Sequence, residues 1–174
     1  RGEKPDALLM TRERYTAHET VSQGAVSLDG AENASVQYAP CCRPVPGDPI
    51  VGYLGRGEGL VVHIADCPVA SRLRHKDAER FIHVEWADEP ARPFETGVIV
   101  TVTNGKGVLA RVASAFAGAE ADIIHMDMGE EAAQEATDLR FLIAVRDSTH
   151  LDGVLRALNR TTSVLRANRT RPAS

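Results

Sequence analysis

The run of residues 38–69, YAPCCRPVPGDPIVGYLGRGEGLVVHIADCPV, constrains this chain more tightly than any other stretch. All three cysteines fall in it, as Cys41, Cys42 and Cys67, and His63 stands four residues before the last. Pro44, Pro46, Gly47, Asp48 and Pro49 predict a tight corner. Ile50 and Val51 open a short strand, Gly55, Gly57 and Gly59 turn the chain, and Leu60, Val61 and Val62 run back. Proline fixes φ and glycine supplies positive φ, so such clusters separate short strands and exclude a continuous helix.

Cys and His are side chains that zinc prefers, and a structural site takes four ligands. His63 and Cys67 can present theirs from the end of a strand and the turn after it, and Cys41 and Cys42 would complete the set. Successive side chains of a strand point to opposite faces. Both cysteines therefore reach one ion only if the backbone kinks, and Asp66 or Asp48 would otherwise replace one. Two further readings stay open. Cys42 and Cys67 also suit small buried hydrophobes, with Cys41 a spare thiol or a redox partner. A Cys67 nucleophile with His63 as its base lacks an identifiable third group to orient the imidazole.

Composition narrows the setting. An odd number of cysteines, two of them adjacent, does not make a secreted disulfide framework and fits a reduced, cytoplasmic compartment. No apolar run approaches the ~18 residues of a membrane span and no signal peptide is evident, so no membrane partner is expected. The chain begins at Arg1 rather than Met, as a piece of a longer polypeptide would. A net charge of −4 argues against indiscriminate nucleic-acid binding and leaves room for a local basic patch. That patch would be Arg43, Arg56, Arg72, Arg74 and Lys76, because guanidinium groups match phosphate. The alternative is ordinary solvated surface, since Asp48, Glu58, Asp66, Asp77 and Glu79 dilute it.

Residues 1–34 are polar and hold no period, which predicts a linker or a loosely ordered arm. The cysteine module is expected over 35–90, with an entry strand at 35–38, a helix starting at Pro68 and an alternating strand over 81–86. The acidic, proline-bearing segment 88–93 reads as a boundary. Over 95–170 the pattern is regular. A β-branched strand at 97–103 leads through a glycine turn to a helix with Val108, Leu109, Val112, Ala115 and Phe116 at helical spacing. Strands follow at 122–128 and 137–146, then a helix capped by Ser148 or Thr149, then a last strand at 163–168. This βαββαβ order is the ferredoxin-like split topology and makes the chain α+β. Its antiparallel sheet, with both helices on one face, leaves the other face or an edge free for a partner. Aromatics are only 5% of the chain against 43% hydrophobic residues, so the cores must be largely aliphatic.

Paired cysteines, PVPGD, a G-x-G turn, V-H and D-C follow one another in CCRPVPGDPIVGYLGRGEGLVVHIADC. This order resembles the cysteine-rich, zinc-finger-like ribosome-intersubunit module near the C-terminus of long RelA/SpoT homologues, enzymes that make and degrade (p)ppGpp. The part beyond residue 94 resembles the ACT domain that closes those proteins, and the likeness spans about residues 33–170. It implies a regulatory region of the stringent response that is not itself an enzyme. Neither a His-Asp dyad of the hydrolase type nor a phosphate-gripping synthetase segment is found. The implied partners are the catalytic domains of the same polypeptide, ribosomal RNA and tRNA at the first module, and a second copy of the ACT domain. A homodimer would pair through residues 122–128, adding Leu142 and Ala144. The resemblance also favours zinc at Cys41, Cys42, His63 and Cys67.

The same resemblance points to the loop after the first ACT strand as an effector site for a branched-chain amino acid, valine or isoleucine. Gly105 and Gly107 let the backbone approach a ligand. Asn104, Lys106 and the free amides of the helix start suit its charged groups. Val108, Leu109, Ile124 and Met126 would line an apolar pocket, with His125 nearby. The plain alternative is a glycine turn that only connects strand to helix. Two other functions remain open: a free-standing amino-acid-binding ACT protein, and a zinc-ribbon nucleic-acid-binding protein of another family.

Overall fold

The computed structural model describes residues 26–28, 35–90, 92–129 and 135–170. They fall into two compact units, one ending at Arg92 and the other beginning at Pro93.

The first unit holds β1 (Val26–Leu28), β2 (Val36–Tyr38), β3 (Ile50–Gly55), β4 (Gly59–Ile64), α1 (Pro68–Lys76), a short 3-10 turn (Ala78–Arg80), β5 (Phe81–Ile82) and β6 (Val84–Trp86). Strands β3 and β4 form an antiparallel hairpin with Gly55 opposite Gly59. Gly57 and Gly59 sit at φ 89° and 77°, and a Cβ on Gly59 would run into the carbonyl oxygen of Ser35. The turn needs glycine for both reasons. Strand β2 joins β4 in parallel and β5 joins β3, giving the order β2-β4-β3-β5. Alternation sends Leu60 and Val62 of β4 to one face and Val61 and His63 to the other. On the first face lies the parallel pair β1–β6, and Leu28, Val36, Leu60, Val62 and Val84 make the core between the layers. On the second face α1 contributes Ala70 and Val69.

Two expectations need correction here. Val26–Leu28, inside the stretch read as a linker or arm, is a strand, and Leu28 is fully buried. Three residues with apolar i, i+2 spacing are too few to stand out from polar neighbours. Residues 1–25 and 29–34 lie outside the described residues. The single strand expected over 81–86 instead breaks at exposed His83. Phe81–Ile82 stays with the four-stranded sheet while Val84–Trp86 crosses to β1, a bend that lets one segment serve two sheets.

The second unit holds β7 (Phe94–Thr103), α2 (Val108–Gly118), β8 (Asp122–Met128), β9 (Ala136–Val145), α3 (Ser148–Asn159) and β10 (Val164–Arg169). All pairings are antiparallel, in the order β10-β7-β9-β8, so the expected βαββαβ topology is present and the chain is α+β. Phe94, Val98, Val100 and Val102 of β7 are buried, as are Leu139, Phe141, Ile143 and Val145 of β9. The helices bury Val112, Phe116, Leu151, Val154 and Leu158. Phe116 and Phe141 pack with ring centroids 4.7 Å apart. The Thr96 hydroxyl is buried with no hydrogen-bond partner among the described residues. The cap of the last helix is Asp147 rather than Ser148 or Thr149, its Oδ1 accepting from the His150 amide at 2.7 Å. The helix starts one residue earlier than expected, so the capping position falls on the aspartate.

Candidate functional site

The chain before β3 and the end of β4 bring Cys41, Cys42, His63 and Cys67 together, with one ligand atom from each within 4.8 Å of all the others. His63 Nδ1 lies 3.4 Å from Cys41 Sγ and 3.8 Å from Cys42 Sγ. Cys41 Sγ lies 3.9 Å from Cys42 Sγ and 3.7 Å from Cys67 Sγ. Zinc held at about 2.3 Å from sulfur and about 2.0 Å from nitrogen sets tetrahedral edges of roughly 3.5–3.8 Å. The donor types and these four separations are close to what that ion requires. The sulfurs are too far apart for a disulfide of about 2.0 Å, and all three cysteines are free.

The adjacent cysteines converge because they sit in a helical turn. The amides of Cys42 and Arg43 both donate to the Ala39 carbonyl oxygen, at 3.3 and 2.8 Å, and Arg43 closes the turn at φ 45°. Successive side chains of such a turn diverge by about 100° rather than 180°, so two sulfurs can face one ion. Asp48 is not a substitute, since its Oδ2 accepts from the Val45 amide at 2.8 Å and closes the proline corner. Asp66 is exposed and outside the cluster. Cys67 is the N-cap residue of α1, with Pro68 opening the helix. The Ile64 amide donates to Cys42 Sγ at 3.3 Å, an outer hydrogen bond of the kind that supports a ligating thiolate.

Cys42, His63 and Cys67 are buried and Cys41 is partly so. Burial pushes the Cys41 and Cys42 thiols up, neighbouring sulfurs add to the rise, and burial pulls the His63 imidazole down. Burial thus favours the neutral forms of the Cys41 and Cys42 thiols and of the His63 imidazole. A divalent ion would supply the charge that the thiolates require, and four protein ligands make a closed, structural centre rather than a catalytic one. His63 Nε2 has no hydrogen-bond partner among the described residues, so no third group orients the ring as a nucleophile's base would need.

The basic residues come from three places. Arg43 sits in the cysteine turn, and Arg72 and Arg74 lie exposed on α1, Arg74 with its guanidinium 4.8 Å from the centroid of the Phe81 ring. Arg56 and Lys76 line one groove, where Arg56 is 3.9 Å from the Asp77 carboxylate. Arg80 donates to the Leu54 carbonyl at 2.6 Å and ties the 3-10 turn to β3. The groove is absent from the sequence reading. Its walls include Tyr53, Val61 and Leu73, and the i, i+2 spacing of Val61 and His63 is the signal that places them side by side.

In the second unit, Asn104, Gly105, Lys106 and Gly107 are exposed between β7 and α2. Gly107, at φ 75°, is the N-cap of α2, and no side chain among the described residues caps that helix. Asn104 Oδ1 accepts from the Thr137 hydroxyl at 3.0 Å, so the side chain expected to meet a ligand is anchored to β9. Val108 is buried in the core while Leu109 faces solvent, so the two do not share a wall. Ile124 and His125 are exposed and Met126 is partly buried on β8, which shifts register between Ile123 and His125. That strand is a sheet edge on which Ile123, Ile124 and Met128 are 39%, 51% and 51% exposed. Leu142 and Ala144 are partly buried on the adjoining β9.

Comparison with known proteins gives the same two parts. Residues 26–87 match the model of the RelA/SpoT RIS domain, and residues 90–169 match that of an ACT domain. The bifunctional (p)ppGpp synthase/hydrolase SpoT of Escherichia coli (strain K12) is 33% identical over 152 residues, covering 87% of this chain and 21% of that protein. The GTP pyrophosphokinase of the same organism is 28% identical over 146 residues, covering 84% of this chain and 20% of that one. The chain thus spans about a fifth of the length of these relatives. Among solved structures, the ACT domain from GTP pyrophosphokinase of Chlorobium tepidum aligns with a TM-score of 0.40 at 13% identity, over 45% of this chain and 99% of that one.

Proposed function

The chain belongs to the RelA/SpoT family as a C-terminal regulatory region, and on that premise we propose that it biases the (p)ppGpp-making and (p)ppGpp-degrading sites of its own polypeptide from the cytoplasm. The observation that carries this reading is the four-ligand cluster, which supports a zinc-held first module able to present a fixed surface to a partner. Cys41, Cys42, His63 and Cys67 would hold the ion, whose role is to bind the corner, β4 and the start of α1 into one body. The partner of that surface is ribosomal RNA, with or without tRNA, met by Arg43, Arg56, Arg72, Arg74 and Lys76. Elemental analysis of freshly reduced protein should find one zinc per chain, and ribosomes should retain the zinc-loaded chain but not a variant with these five residues changed to alanine. Substoichiometric zinc with three freely titrating thiols, or equal retention of both proteins, would sink the reading.

Two features of the second unit support further regulatory inputs. The exposed apolar edge of β8 suits pairing with a second copy, because an open edge strand offers unpaired backbone groups. Sedimentation of the chain at high concentration checks it, and a pure monomer excludes the pairing. The uncapped start of α2 beside Asn104 suits the carboxylate of valine or isoleucine. Asn104→Ala should weaken such binding about tenfold, as loss of one hydrogen bond worth roughly 1–3 kcal/mol does. No heat in calorimetry with millimolar branched-chain amino acids counts decisively against that ligand.

A further inference from the structure

We propose that the groove beside the cysteine cluster is a nucleotide cleft that takes one unstacked base against His63. This rests on the RNA reading of the first module and makes it specific: the contact is to single-stranded, not duplex, nucleic acid. Helix α1 covers only part of its face of the four-stranded sheet, and the remainder is an open groove of about 830 Å³. Small-molecule sites commonly measure roughly 300–1,000 Å³, so a nucleotide fits. The floor is apolar, formed by Val61, Leu73 and the ring of Tyr53.

His63 stands at one end of that floor. It is only 4% exposed, its Nδ1 faces Cys41 and Cys42, and its Nε2 has no protein partner among the described residues. With a cation on Nδ1, the ring proton is fixed on Nε2. Outer donors of this kind normally meet a carbonyl, a carboxylate or water. A carbonyl or ring nitrogen of a base supplies that acceptor.

Arg56 and Lys76 stand at the rim, the Arg56 side chain being 74% exposed. The groove also contains Asp77 and Glu58. Asp77 is engaged by Arg56 at 3.9 Å and by the Tyr53 hydroxyl at 3.4 Å. Glu58 is left to accept from the amino group of a base. An apolar floor, the Nε2 edge of the His63 ring and two cations at the mouth match a planar heterocycle joined to a phosphate, and a base still stacked in a duplex cannot enter. That chemistry has two sources, a free 5′-nucleotide and a nucleotide within single-stranded RNA.

Nuclear magnetic resonance on the zinc-replete chain tests this with three probes: the four 5′-nucleoside monophosphates, a short single-stranded RNA of mixed sequence, and the same sequence as a duplex. The expected result is a shift of the His63 Nε2–H and of the Val61 and Leu73 signals with single strands, and none there with duplex. Leu73→Trp, which fills the groove, should lower single-strand affinity about tenfold, the scale of one lost base contact. Lys76→Ala, at an exposed position, gives a second measure should the tryptophan disturb folding. Groove shifts with monophosphates but not with RNA support the cleft, assign it to free nucleotides and overturn the RNA reading. RNA binding that moves Arg43 and Arg72 signals but leaves His63 and Leu73 still overturns the cleft and spares the RNA reading. No shift with any probe overturns the cleft.

Discussion

One of the two cores in the first unit is assembled from Ala39, Cys42, Val61, Cys67 and Ala70, small side chains gathered about sulfur. The core of the second unit contains Phe116, Phe141, Leu139, Ile143, Leu151, Leu158 and a row of valines. Apolar burial contributes about 25 cal/mol per Å², so the second core can hold its sheet by packing alone, whereas the first encloses little apolar surface where the ligands meet. Cohesion there falls to donor atoms and whatever cation they hold. If the cluster holds zinc as proposed, the stability of one unit is a property of its sequence, and that of the other would depend also on what the solution supplies.

The strongest way to break this comparison is to strip the first unit of the proposed cation. Trp86, the single tryptophan, lies in the first unit and reports on it alone. A chelator, or Cys67→Ser, should lower the melting transition seen by Trp86 fluorescence by many degrees, because metal-binding energy is folding energy in small modules. Backbone amide signals of the second unit should stay in place; coincident loss of both would show that the units are not separable in this way. Next in size is the reverse experiment. Phe116→Ala should cost the second unit roughly 3–5 kcal/mol, in chemical denaturation followed by circular dichroism, while zinc content and the Trp86 transition are unchanged.

A graded effect follows from proton linkage. In the folded first unit His63 titrates below its ordinary 6.5, and Cys41 and Cys42 above their ordinary 9.0. Below 6.5 the unfolded chain takes up a proton that the folded unit resists, and above 9.0 it releases protons that the folded unit retains. Stability of the chelated first unit, measured well under its lowered melting temperature, should therefore be greatest between these values and decline on both sides. A profile without that maximum contradicts the burial of the cluster. The smallest effects sharpen the picture of the second unit. Asp147→Ala should cost about 1 kcal/mol through the lost cap. Thr96→Val should instead add about 1 kcal/mol by deleting a buried hydroxyl without a partner. Paired denaturation curves decide both, and a destabilised Thr96→Val would mean the hydroxyl has a bonding role.

Legibility in the sequence divided along the same line. The βαββαβ order could be read because long strands and helices repeat their apolar residues many times, as from Phe94 to Val102. The four residues of the cluster could be read by chemical type, since three cysteines and one histidine crowd one segment. Their convergence could not, because it depends on the Ala39–Arg43 turn, whose helical form is set by hydrogen bonds and not by a period. Strand β1 was illegible for lack of length, and the switch at His83 because a strand's pattern does not say which neighbour it will join. Asn104 looked free for a ligand because Thr137, its partner, is remote in sequence. The groove was hidden for a like reason, being formed by β3, β4 and α1 together.

The parallel pairing of β1 with β6 joins the first and last strands of the first unit. The hairpin and the four residues of the cysteine cluster lie between them in one short stretch and can assemble locally. Val26–Leu28 has no place to bind until Val84–Trp86 has been synthesised and has left the hairpin sheet. Contacts of such long sequence separation form slowly, since loop closure must precede them. A newly made chain therefore carries an unpaired apolar strand through most of the synthesis of this unit, which exposes it to wrong partners. Among the described strands of this unit, the one made first is the last to be secured, and chaperone protection would matter most in that interval.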